Sequence, residues 1–131
     1  MNEIRKFIVS RWYAFGHAFR GLFYVLRTQQ NAWIHAVAAT LVFIIAFWLG
    51  LSPRDWAVLI LTIATVFMAE FVNTAIEAVV DLASPQKHPL AKVGKDVGAA
   101  AVLISAMAAV LIGLLILGPP LWAKLSFLFN R

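Results

Sequence analysis

Three carboxylates and a carboxamide punctuate one apolar stretch, Ala69–Asp81, which reads AEFVNTAIEAVVD. On a helix turning 100° per residue, Glu70, Glu77 and Asp81 fall within about 40° of one another, with Asn73 roughly 60° to one side. They make one polar stripe. Further along, KVGKDVGAAAV brings Lys95 and Asp96 to the start of another apolar segment. Acids facing a lysine suit a divalent cation with a phosphorylated ligand. Mg²⁺ takes one or two carboxylates plus phosphate oxygens. A lysine neutralises phosphate, and a carboxylate can act as base toward an alcohol. The plainer reading is a hydrogen-bonded helix contact, because Ala69, Thr74, Ala75 and Ala78 beside the stripe favour close packing. Lys95 and Asp96 alone read equally well as a solvated helix start. An ionisable group inside a membrane span is expensive and faces a partner or a cavity, so three acids with an asparagine favour chemistry.

The elements that must position these residues are membrane helices. The 131 residues are 63% hydrophobic and only 13% charged, outside the range of a soluble domain. The length fits a single domain, 1–131. Residues 3–27 mix bases with aromatics at helical spacing and predict an amphipathic helix on the membrane surface, or one packed on the spans. Spans are expected at about 31–50, 55–82 and 90–117 from the apolar runs. Pro53 suits the first turn of the second span. SPQKHP is expected to be a loop, and GPP at 118–120 is expected to end the third span before a short interfacial tail. At 1.5 Å per residue, a hydrocarbon core of about 30 Å starting at Trp56 is crossed near Ala75. Glu70 then lies inside, and Glu77 and Asp81 lie at or beyond the far interface.

Lys and Arg outnumber Asp and Glu by 11 to 6. In so apolar a chain this excess reads as contact with anionic headgroups rather than nucleic acid. Arg5, Lys6, Arg11, Arg20 and Arg27 precede the first span, and Lys87, Lys92 and Lys95 follow the second. The positive-inside rule therefore puts the N-terminus and the second loop in the cytoplasm. No cleavable signal pattern is expected. With no cysteine, disulfide and thiolate chemistry are excluded. Gly94-Lys95 lacks the rest of a GxxxxGK[ST] loop, there is no HExxH, and no Ser-His-Asp grouping is evident. Polarity confined to one end of the second span favours a site over an ion path, which would need a stripe crossing the membrane.

The paired motifs ExxNTAIExxVD from Glu70 to Asp81 and HPLAKxxKDxxAAAVL from His88 to Leu103 resemble the prokaryotic diacylglycerol kinase family, which includes the undecaprenol kinases. AFRGLFYVLRTQQNAWIH looks like its N-terminal signature. The resemblance implies an all-α integral membrane protein, a homotrimer of three-span subunits each with an N-terminal surface helix, multi-pass in a bacterial inner membrane. It implies MgATP-dependent phosphorylation of a lipid alcohol, undecaprenol or diacylglycerol, with sites shared between neighbouring subunits. By the same resemblance Glu70 matches the general base, Glu77 a metal ligand that also meets nucleotide, and Asn73 and Asp81 supporting polar residues. Lys95 and Asp96 match the nucleotide-binding pair, and Gln86, Lys87 and His88 match a loop near the nucleotide. Two positions depart from the family pattern. Gln29 stands where many members place a metal-binding glutamate. His17 and Ser10 stand where some place an aromatic and an arginine near nucleotide or lipid. RTQQNAWIH and HPLAK look closer to the undecaprenol kinase branch. The alternative is a non-catalytic membrane assembly, or a pseudo-kinase keeping a residual cation or nucleotide site.

Overall fold

The computed structural model describes residues 3–129, with side chains through residue 127. Four helices follow one another: α1 (Glu3–Thr28), α2 (Gln30–Leu49), α3 (Pro53–Ala83) and α4 (Pro89–Phe129). No strand occurs among the described residues. Helices α2, α3 and α4 are each long and apolar enough to cross a membrane.

Each junction has a local cause. Gln29 sits at the break between α1 and α2 in an extended conformation (φ −102°, ψ 112°), while its N–H still donates to Val25 O at 2.9 Å. Gly50 ends α2 with φ 69°, a left-handed turn that a side chain would strain, and its N–H closes on Ala46 O and Phe47 O. Ser52 caps α3 by accepting from Asp55 N at 3.2 Å, with Pro53 in the first turn as expected. The loop over SPQKHP forms as predicted and ends at Pro89. There His88 Nδ1 accepts from Leu90 N at 3.2 Å.

The three apolar helices alternate in direction, because their connections are short. α3 and α4 pack along each other most extensively, α2 touches both more lightly, and α1 meets only α2 and α3. Two ring contacts register α2 on α3. Phe43 stacks on Trp56 at 5.7 Å near one end, and His35 meets Phe67 edge-on at 6.5 Å toward the other. Threonines inside the apolar helices satisfy themselves: Thr40, Thr62 and Thr65 each donate to the carbonyl four residues back. The buried apolar set is small, Val25, Ala32, Ala46, Leu59, Val66 and Val102, and most large apolar side chains face outward. Outward apolar faces on such helices fit lipid as the solvent.

One expectation fails. GPP does not end the third apolar helix, since α4 runs through Pro119 and Pro120 to Phe129. Gly118 has no Cβ to clash with the Pro119 ring, which lowers the usual penalty on the residue before proline. The continuation is also held from outside. Lys124 Nζ donates to Trp48 O at 2.6 Å and sits 4.3 Å from the centroid of the Trp48 ring. That contact satisfies a carbonyl left open at the end of α2 and adds a cation–π attraction.

Candidate active site

The buried polar residues cluster at one place. Glu70, Asn73 and Thr74, on consecutive turns of α3, are 2%, 7% and 6% exposed. Thr74 is satisfied by its own helix, donating to Glu70 O at 2.9 Å. The Asn73 amide donates to Glu77 Oε1 at 3.1 Å, one turn further on. Two buried oxygens are left without a hydrogen-bond partner, Glu70 Oε1 and Asn73 Oδ1. Such atoms are costly in a packed interior and mark where a ligand group belongs.

Helix α4 closes one side through a glycine. A Cβ on Gly98 would overlap Asn73 Oδ1, so only the bare backbone lets α4 approach here. One turn earlier, Gly94 is in ordinary contact range of the Val80 side chain. Lys95 Nζ then pairs with Asp81 Oδ1 at 2.6 Å across the helix pair. In the small-residue run Gly98–Ala101, Gly98 makes the close contact while Ala99, Ala100 and Ala101 point outward, because consecutive residues on a helix cannot share a face. Lys95 and Asp96 also take separate partners, since Asp96 pairs with Lys92 along α4 while Lys95 reaches α3.

Helix α2 closes the other side with two residues that the motif reading passed over. Asn31, His35 and Glu77 are the polar neighbours of the Glu70 carboxyl, Asn31 from an exposed position on α2. Asn31 and His35 are one turn apart. That spacing, together with His35 as the lone ionisable group in its span, was the available signal. From His35 an apolar cavity of about 580 Å³ runs between α2, α3 and α4, past Ala38, Val66, Ala109 and Gly113 to Leu121.

The remaining candidates sit on other elements. Gln29 is half-buried at the α1–α2 break. Gln86, Lys87 and His88 are exposed in the loop between α3 and α4, where Ser84 Oγ donates to Gln86 O at 2.9 Å. His17 and Ser10 are exposed on α1; His17 Nδ1 is hydrogen-bonded to Arg20 at 2.8 Å, and Ser10 Oγ donates to Phe7 O at 2.8 Å. Among the described residues no three His, Asp or Glu side chains converge as a ready metal cage. The hard oxygens of the Glu77 carboxylate suit a hard cation that also draws oxygens from a ligand.

Residues 16–117 match the family described as prokaryotic diacylglycerol kinase. The chain belongs to the prokaryotic diacylglycerol kinase family. Among relatives in this kinase family, the undecaprenol kinase of Bacillus subtilis is 43% identical over 120 residues, covering 92% of this chain and 94% of that protein. A diacylglycerol kinase of Synechocystis is 44% identical over 109 residues, covering 82% of this chain and 62% of that protein. The diacylglycerol kinase of Escherichia coli is 36% identical over 105 residues, covering 75% and 80%. The family match spans the Glu70–Asp81 stripe, its α2 wall and the Lys95–Asp96 turn together.

Proposed function

We propose that this chain transfers the γ-phosphoryl group of ATP to the hydroxyl of a membrane lipid alcohol, with undecaprenol as the substrate. One observation carries the reading: the buried carboxylate Glu70 has an unpartnered oxygen, and its neighbour His35 lines one end of an apolar cavity. Apart from His35 and Thr62 the cavity lining carries no polar side chain, and Thr62 Oγ1 donates to Val58 O. That suits a polyprenol, whose only polar group is the hydroxyl to be phosphorylated.

Glu70 accepts the proton of that hydroxyl as the lipid oxygen forms its bond to the γ-phosphorus. The bond from the γ-phosphorus to the bridging oxygen breaks, and ADP leaves with that oxygen. Asn31 and His35 flank the Glu70 carboxyl and hold the reacting hydroxyl against it. Lys95 neutralises phosphate charge, exchanging its Asp81 partner for the nucleotide. Asp96 binds nucleotide from the same turn of α4, with Gln86, Lys87 and His88 on the loop before it and His17 on α1. Glu77 and Gln29 would hold Mg²⁺, with Asn73 orienting Glu77. A bound Mg²⁺ offsets the charge that develops on the phosphoryl oxygens.

The basic N-terminal segment and the α3–α4 loop lie in the cytoplasm of a bacterium, α1 rests on the membrane surface, and three copies share their sites. The whole chain acts as one kinase domain. The test is a mixed-micelle assay with radiolabelled ATP, comparing undecaprenol with diacylglycerol. Preferred labelling of undecaprenol supports the reading, preferred labelling of diacylglycerol overturns the substrate, and labelling of neither overturns the kinase assignment.

A further inference from the structure

Helix α1 carries a charge on its wrong side. At 100° per residue, Arg11 lies within about 40° of Ile4, Phe7, Phe15 and Leu22, the centre of the apolar face. Lys6, Arg20 and Arg27 lie about 140–180° away from it. The side chain is not simply displaced outward. Its guanidinium carbon sits 5.1 Å from the centroid of the Phe7 ring. Phe7, Ile8, Trp12 and Phe15 surround it in a shallow dish of about 310 Å³. All five of these side chains are exposed.

A guanidinium facing hydrocarbon needs an anion, and its reach carries it back to the headgroup layer. A cation–π contact takes up no oxygen acceptor, so the guanidinium keeps its N–H donors for one. Those donors fit the oxygens of a phosphate in a forked pair. We infer that Arg11, seated on the Phe7 ring within the apolar face of α1, binds the phosphate of an anionic phospholipid from the bilayer side of the helix. Lys6, Arg20 and Arg27 face the aqueous side and supply only screened, non-specific attraction. The assignment rests on the membrane-surface placement of α1 proposed above.

The test uses the full chain in phosphatidylcholine vesicles with spin-labelled lipids, at 0.5 M salt to screen diffuse charge. The selectivity for labelled phosphatidylglycerol over phosphatidylcholine is expected to fall about twofold in Arg11→Gln, by loss of one bound headgroup. In Arg20→Gln it is expected to stay unchanged. Unchanged selectivity in Arg11→Gln overturns the site. Equal loss in Arg20→Gln overturns it too, since the attraction would then be diffuse. Loss confined to labelled phosphatidic acid assigns Arg11 to a phosphomonoester instead of a bulk headgroup, and overturns the proposal. Because the chain has no cysteine, a spin label at Ala18→Cys reports the depth of the same helix face. An aqueous Ala18 sinks both the site and the surface placement. Membrane depth with unchanged selectivity sinks the Arg11 site alone.

Discussion

Gly98 and Asn73 meet across α3 and α4 so closely that a methyl group on the glycine would overlap the asparagine's side-chain oxygen. The same asparagine steadies Glu77 with its amide. One glycine therefore sets both the spacing of the two helices and the geometry of the polar cluster.

The first prediction tests this directly. Gly98→Ala must push Asn73 out of place or separate the helices, at a cost of about 1–3 kcal/mol. Phosphorylation activity should fall at least tenfold, and the thermal midpoint in detergent should drop. Asn73→Ala in the Gly98→Ala background should recover the thermal midpoint but not the activity. A double variant as unstable as Gly98→Ala alone would show that the overlap is not the cause.

Glu70→Gln removes the proposed base and keeps the shape. Glu70 Oε1 has no partner to lose, so the thermal midpoint should hold or rise. Turnover should fall by about 10²–10⁴, the usual contribution of a general base. Retained turnover with an intact fold would remove Glu70 from the proton transfer.

Lys95→Met and Asp81→Asn separate the two halves of their ion pair. The pair is 38% and 65% exposed at its side chains, so its loss should change stability by less than about 1 kcal/mol. Lys95→Met should raise KM for ATP by roughly tenfold or more, from lost phosphate neutralisation. Asp81→Asn should leave KM for ATP equal or lower, because the competing carboxylate is gone. A rise in KM for both variants would mean that the pair acts as a unit in binding nucleotide.

Gln29→Glu should lower the Mg²⁺ concentration needed for half-maximal activity, since a carboxylate binds the cation more strongly than an amide oxygen. An unchanged Mg²⁺ titration would place Gln29 away from the metal.

Much of this was legible in the sequence, for reasons that differ from residue to residue. The three apolar runs and Pro53 fixed where the apolar helices start, because apolar runs mark the helices and proline imposes φ at a first turn. The Glu70–Asp81 stripe was visible because acids are rare in apolar helices. The partners across the stripe were harder to see. Nothing local says that Asp81 takes Lys95 while Asp96 takes Lys92, because helix packing decides which lysine faces which acid. Asn31 and His35 drew little notice because a lone polar residue gains meaning only beside its neighbour, Glu70 on another helix. The GPP stop failed because a local rule met a tertiary contact, Lys124 on Trp48, that sequence reading does not weigh.

That contact has a metric consequence. Lys95 and Lys124 stand on one unbroken helix, roughly 44 Å apart along its axis at 1.5 Å per residue. This is close to the thickness of a bilayer with both headgroup layers, about 40–45 Å. α4 is therefore a ruler with a cation at each mark, one paired with Asp81 and one latched to the far end of α2. In a thinner membrane both marks cannot stay in register, and the helix has to lean. Because α3 packs along α4 and Lys95 pairs with Asp81, α3 leans with it.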